Sequence, residues 1–297
     1  MNKKWRRWFG WSNSKEEMWT SCRKQYFFHV IGKHEPGSMS QSVRGLQALD
    51  PLDFRKGTIL HEAIRSVLRS YRDTQVLDLS KAKELIELKF NLIEEHPQDY
   101  LTEMRNGVDF DRGRIPKLKH LMLANFEPFF EKLWPKYSHK KILFIDGDEE
   151  FLSFQCGGYK VYISPDLVTQ EENGSLLVTD WKVGSKERTE AWGREPEESL
   201  QLTAYVCWAG QKWEVPPAMI GAEFVYYGDL EFSRVKRTLD EMDQFAEFVE
   251  QRSKEMLDVT SPEDFPSNPS YRICSKCWYA TICKEGKRVL TGEDVEF

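Results

Sequence analysis

The chain has 297 residues, of which 40% are hydrophobic and 30% charged. Those proportions exclude a wholly disordered chain, a collagen and a multispan membrane protein, and the length allows one large domain or two ordinary ones. The net charge of −6 argues against a protein that coats nucleic acid non-specifically. No stretch approaches the roughly 18 apolar residues of a membrane-spanning helix. Residues 1–11 are basic and aromatic but lack the apolar core of an export signal. The expected compartment is the cytoplasm.

Charge is uneven along the chain. Residues 1–72 hold 14 Lys/Arg and 6 Asp/Glu, a balance of +8, so the remainder carries −14. This permits a basic face at one end. The run Lys3-Lys4-Trp5-Arg6-Arg7-Trp8 combines cations for phosphates with rings for base stacking; a solvated tail has the same composition. Next, Leu60, Ile64, Val67, Leu68 and Tyr71 recur at helical spacing, which predicts a helix over 58–71. Residues 81–95 and 118–133 also read as helices. The period then changes. Short β-rich runs at 142–145, 150–155, 159–164 and 176–183 are separated by turn-like Asp146-Gly147-Asp148, Gly157-Gly158 and Glu171-Glu-Asn-Gly174. Residues 197–209 return to helical spacing. Residues 219–227 form an apolar strand and 239–257 a long amphipathic helix. The expected fold is α/β, a small mixed central sheet flanked by helices. A single domain spans 1–297, with a helical insertion at 73–140.

The six cysteines fall at 22, 156, 207, 274, 277 and 283. Cys156 and Cys207 sit singly in apolar company and read as small buried hydrophobes. Cys274-Ser-Lys-Cys277 is a C-x2-C pair with Cys283 shortly after. A tight turn aims two thiolates at one centre, and three local ligands need a fourth. Four thiolates suit either structural zinc or an iron–sulfur cluster. Cys22, in a polar-then-aromatic context, is one source of the fourth.

Several polar residues stand out in this frame. Asp180 and Lys182 share one face of the 176–183 strand, with Trp181 on the other. Asp166 ends the run Val161-Tyr-Ile-Ser-Pro-Asp166. Antiparallel neighbours lie about 4.8 Å apart, so Asp166 and Asp180 can face each other across a ladder. Facing carboxylates repel unless a cation lies between them, and hard oxygen ligands select Mg²⁺ or Mn²⁺. His61 lies beside the buried stripe of its helix, where a hydrogen-bonded core histidine is the simpler reading. Gln201 and Tyr205, at i and i+4, share a helix face.

In order, His61, Asp166, Asp180-x-Lys182 and Gln201-x3-Tyr205 resemble the PD-(D/E)XK nuclease superfamily, in particular its RecB-like branch. Ser12-Asn-Ser14, with Cys22-Arg-Lys-Gln-Tyr26-Phe-Phe, resembles the first segment of the iron–sulfur members, and Cys274-x2-Cys277-Trp-Tyr279-x3-Cys283 their C-terminal group. CRISPR-adaptation exonucleases and the nuclease domains of helicase–nucleases are among these. Ser164-Pro165 stands before Asp166 where many relatives carry Gly and an apolar residue, and Asp180 stands where others carry Glu.

The resemblance implies a restriction-endonuclease-like fold, with a C-terminal iron–sulfur segment at 262–290 closing onto 12–30. It implies a [4Fe–4S] cluster on Cys22, Cys274, Cys277 and Cys283, zinc being the alternative. It implies Mg²⁺ or Mn²⁺ held by His61, Asp166, Asp180 and the Trp181 backbone carbonyl. Lys182 would orient the attacking water, with Gln201 and Tyr205 lining the site. The expected activity is phosphodiester hydrolysis by an exonuclease on single-stranded DNA, alongside a helicase, recombination or CRISPR-adaptation partner and no membrane. Competing readings are a catalytically silent nucleic-acid-binding or assembly subunit and a zinc-stabilised interaction protein.

Overall fold

The computed structural model describes residues 3–187, 195–259 and 261–293. The chain clusters into two compact units. One comprises Met1–Lys56, Phe90–Pro116 and Ser253–Phe297; the other comprises Gly57–Lys89 and Lys117–Arg252. Residues 73–140 are mostly helical and are divided between the two units. Among the described residues, no helix is long and apolar enough to cross a membrane.

The second unit is a mixed α/β layer structure. Its sheet runs in the order β1 (Lys141–Ile145), β4 (Leu167–Gln170), β5 (Leu176–Lys182), β6 (Ile220–Tyr226), β7 (Glu231–Val235). The β5–β6 pair is parallel and the other pairs are antiparallel. A separate hairpin pairs β2 (Ser153–Cys156) with β3 (Tyr159–Tyr162). Every residue of β6 and all but Lys182 of β5 are buried. That explains their near-continuous apolar sequence, since a central parallel pair is covered on both faces. A parallel pair needs a crossover, and the helix Leu200–Trp213 lies in it. The Ser199 side chain starts this helix by accepting from the Leu202 amide.

The helix Leu52–Thr74 buries Leu60, Ile64, Val67 and Leu68, as its periodicity predicts. The helices Ser80–Glu95, Arg114–Leu133 and Leu239–Asp258 also occur where expected. Two strands differ from the sequence reading. Asp166 does not end the hairpin strand; it immediately precedes β4, a strand not foreseen. β7 was not foreseen either. On the face of β5 turned from Asp180, Trp181 packs edge-on against Phe129 and Tyr137, at centroid distances of 5.6 and 6.0 Å. On that same face Glu223 is buried but satisfied, accepting from Tyr137, Thr179 and Arg234. Each large apolar side chain buried here contributes roughly 1.5–3 kcal/mol.

The first unit is built on aromatic packing. Trp19, Tyr26, Phe27 and Phe265 are buried together, with Trp19–Tyr26 centroids at 5.0 Å and Phe27–Phe265 at 5.2 Å. Hydrogen bonds run between the two ends of the chain: the Lys24 backbone amide donates to the Pro266 carbonyl, and the Asn268 side-chain Nδ2 to the Ser21 carbonyl. The 3-10 turn Lys3–Trp8 buries Trp5, and Arg6 Nη2 donates to the Val259 carbonyl at 3.0 Å. This part of the basic run is therefore structural. Trp8 is 74% exposed.

Candidate active site and cysteine cavity

Strand register places the first two acids. Leu167 pairs with Thr179 in the antiparallel β4–β5 ladder, so Asp166 and Asp180 occupy the next rung. The Asp166 amide donates to the Thr179 carbonyl at 3.1 Å. The juxtaposition expected from the sequence is present, although β4 rather than the hairpin supplies it. Both acids are buried, at 5% and 4% exposure.

Each carboxylate oxygen has a defined neighbour. Asp166 Oδ2 accepts from the Trp181 amide at 2.7 Å, and Oδ1 lies 2.7 Å from His61 Nδ1. Asp180 Oδ1 accepts from Gln201 Nε2 at 2.8 Å and lies 2.9 Å from the Tyr205 hydroxyl; Oδ2 lies 2.7 Å from Lys182 Nζ. Lys182 Nζ also donates to Gln201 Oε1 at 2.9 Å and sits 4.4 Å from the Phe224 ring centroid. The Tyr205 hydroxyl reaches the Ser164 carbonyl at 2.8 Å and accepts from Gln201 Nε2 at 2.7 Å. It has one proton to share between Ser164 and Asp180. His61 with Asp166, and Asp180 with Lys182, Gln201 and Tyr205, thus form two hydrogen-bonded groups, joined through the β5 backbone where the Trp181 amide meets Asp166. The Trp181 carbonyl lies in the β5 backbone between Asp180 and Lys182.

Electrostatics follow from burial and opposed charge. Burial disfavours the His61 imidazolium, yet the charge and hydrogen bond of Asp166, helped by Asp180, outweigh it and raise His61 to about 9. Burial pushes Asp166 upward while His61 pulls the other way. Burial and the Asp180 charge hold Tyr205 well above the usual phenol range, so it stays a hydroxyl donor.

Two carboxylates and an imidazole are donors that a divalent ion such as Mn²⁺ accepts. They fit in kind. In this conformation they are turned onto one another and onto Lys182. Among the described residues no group of three or more His, Cys, Asp or Glu side chains is disposed to hold a metal ion. The physical reason is local charge balance: an imidazole and an ammonium each lie 2.7 Å from a carboxylate oxygen. Taking up an ion requires those contacts to open.

The four cysteines expected to act together, Cys22, Cys274, Cys277 and Cys283, line one cavity in the first unit. It holds about 320 Å³ of unfilled space, open solvent included. All four are free thiols. Burial, then the other cysteines, pushes Cys277 up to about 12, and burial raises Cys283 to about 11. Such thiols ionise readily only with positive charge among them, so the donor set fits a thiophilic group. The sulfurs line the cavity wall and do not form a ready chelate.

Several participants could not be found from sequence. Phe224 underlies Lys182 only because β6 pairs with β5 in parallel, Asp180 opposite Phe224. The Ser164 carbonyl carries no side-chain signal. Asn106, in the segment that matched no motif, is buried and donates from Nδ2 to the carbonyls of Cys274, Ser275 and Cys277, at 3.5, 3.4 and 3.0 Å. It clamps the C-x2-C loop. The same loop is held by Lys276 Nζ on Asp53 Oδ2 at 2.9 Å and by Trp278 Nε1 donating to the Leu49 carbonyl at 2.7 Å.

Comparison with known proteins adds one extensive match. The model of the PD-(D/E)XK nuclease superfamily matches residues 10–284. No curated protein matches the sequence significantly. Among solved structures, the crystal structure of SSO0001 matches at 13% identity with a TM-score of 0.28, over 58% of this chain and 74% of that one.

Proposed function

The chain belongs to the PD-(D/E)XK nuclease superfamily, and on that footing we propose that it is a cytoplasmic, metal-dependent exonuclease acting on single-stranded DNA. The observation that carries this reading is the sharing of Asp180 by Lys182, Gln201 and Tyr205, with Asp166 just ahead of the adjacent strand β4. The order of these residues along the chain, as in RecB-like nucleases, supports the choice of substrate and end-dependence by analogy. Mg²⁺ or Mn²⁺ held by Asp166, Asp180, His61 and the Trp181 carbonyl would supply charge neutralisation at the phosphate and acidify a water.

The chain's own groups do the rest. The Lys182 ammonium, fixed between Gln201 Oε1 and the Phe224 ring, holds the attacking water and stabilises charge that develops on the phosphate. Gln201 grips the acid with its amide nitrogen and the amine with its oxygen, so it sets their spacing. Tyr205 ties Asp180 to the Ser164 carbonyl. The Trp181 amide and His61 orient Asp166.

In the first unit, Cys22, Cys274, Cys277 and Cys283 would carry a structural [4Fe–4S] cluster, with zinc the other occupant of four thiolates. Their common cavity supports this.

The test is degradation of end-labelled single-stranded DNA with Mn²⁺, in linear and circular form. Linear DNA is expected to be digested and the circle spared. Asp180→Asn and Lys182→Ala are each expected to lose about 100-fold or more in rate. Wild-type rates in both variants would place the chemistry elsewhere. Equal cutting of circle and line would remove the exonuclease reading. Binding without cutting would favour a silent nucleic-acid-binding subunit.

A further inference from the structure

Cys156 and Cys207 read from sequence as separate buried hydrophobes, yet the fold places them side by side. Cys156 is half-buried at the end of β2; Cys207 is 4% exposed, in the helix Leu200–Trp213. Both line one cavity, with Gly157, Gly210, Met242 and Ala246 in its wall and about 810 Å³ of unfilled space, open solvent included. Gln211 Nε2 donates to the Gln155 carbonyl at 3.0 Å, which holds the strand end on the helix. Gly157 follows at φ +55°, and a Cβ there would run into the Ala246 carbonyl. The hairpin end is therefore fixed between two helices, and its thiol cannot drift from its neighbour.

We propose that Cys156 and Cys207 are a dithiol modification site that a hydroperoxide converts to a disulfide, with Cys156 the reacting sulfur and Cys207 the resolving one. The inference does not depend on nuclease activity. The two side chains are in contact on the wall of this cavity. Contact with Cys207 lowers Cys156 below the usual thiol range, against a smaller effect of burial. Contact with Cys156, then burial, raises Cys207 far above it. Cys156 is also the more exposed of the two, so it is the sulfur a peroxide reaches first, with Cys207 buried behind it. A low-pKa, accessible thiol beside a second cysteine is the arrangement that reacts with peroxides.

The chemistry balances in two steps. The Cys156 thiolate attacks one oxygen of hydrogen peroxide: an S–O bond forms, the O–O bond breaks, and hydroxide leaves and is protonated to water. The Cys207 sulfur then attacks the Cys156 sulfur: the S–S bond forms, the S–O bond breaks, and hydroxide takes the Cys207 proton as a second water. The two sulfurs lose two electrons and the peroxide gains them. The disulfide would fasten β2 to the helix that carries Gln201 and Tyr205.

The experiment exposes the full chain to hydrogen peroxide, alkylates remaining thiols, digests the protein and maps peptides by mass spectrometry. The expected product is a peptide pair linked through Cys156 and Cys207, two hydrogens lighter than the free pair and released by dithiothreitol. With dimedone present, Cys207→Ser should trap Cys156 as the sulfenic acid adduct about tenfold more than wild type does. Cys207→Ala gives the same readout if serine is not tolerated in the core, and the wild-type map needs no variant. Over-oxidation of Cys156 without the link, or equal dimedone labelling with and without Cys207, would overturn the proposal. Peptide mapping keeps oxidation at Cys22, Cys274, Cys277 and Cys283 separate from this result.

Discussion

His29 illustrates how one half-buried side chain sets a pH limit. Its Nδ1 lies 2.9 Å from the Tyr279 hydroxyl, and its backbone carbonyl accepts from Gln47 Nε2 at 3.1 Å. Burial first, then the charges of Lys33 and Lys15, lowers its pKa to about 4. The folded protein therefore holds neutral His29 where the unfolded chain would protonate near 6.5. Below that value the unfolded state binds more protons, so stability falls as pH drops from about 6.5 to about 4. At pH 4.5 the cost is about 2 kcal/mol. Urea unfolding at pH 7 and pH 4.5 should show a drop in wild type that is smaller, by about that amount, in His29→Gln. Equal drops would show that His29 does not control the acid limit.

Among the elements, the C-x2-C loop depends on a side chain distant in sequence. Asn106 offers one amide nitrogen to three carbonyls of the loop. Leaving those buried carbonyls unpaired costs about 1–3 kcal/mol. If the four cysteines carry the proposed cluster, Asn106→Ala is expected to bind less iron per chain and to lose the brown colour of anaerobically purified protein, with both signals measured beside the melting temperature. Iron content equal to wild type would mean that the loop holds its shape unaided; zinc in place of iron would decide between the two metals. This clamp was not legible from sequence, because an asparagine after a four-residue helix gives no periodic or spacing signal. The long helices were legible, since Leu60, Ile64, Val67 and Leu68 mark their own face. β4 was missed because only four residues follow Pro165-Asp166, a pair that reads as a turn. β7 was missed because Glu231, Ser233 and Arg234 break its apolar pattern. Spacing within an element paired Asp180 with Lys182 and Gln201 with Tyr205, while the family resemblance joined His61 and Asp166 to them. Their partners across strands needed the register that only the folded sheet supplies.

For the whole molecule, charge has to be reconciled with a polyanionic substrate. The chain carries −6, while residues 1–72 carry +8, so the contact with DNA proposed above would be local. Residues 36–49 contain no acidic side chain, and within this region Arg44 Nη2 donates to the Lys33 carbonyl at 3.3 Å. In Asp180→Asn protein, log affinity for single-stranded DNA should fall linearly with log salt, by about 0.7 for each phosphate neutralised. Adding Lys33→Ala and Arg44→Ala should flatten that slope by about 1.4. An unchanged slope would place the phosphate contacts elsewhere. The alternation along β5 also limits how this molecule can change over generations. Asp180 and Lys182 lie on one face, with the proposed site, while Thr179 and Trp181 build the interior on the other. One inserted or deleted residue within Leu176–Lys182 would rotate indole to the reaction side and bury the acid and amine among phenyl rings. Descendants can exchange letters along this strand, but a change in its length breaks the proposed site and the core together.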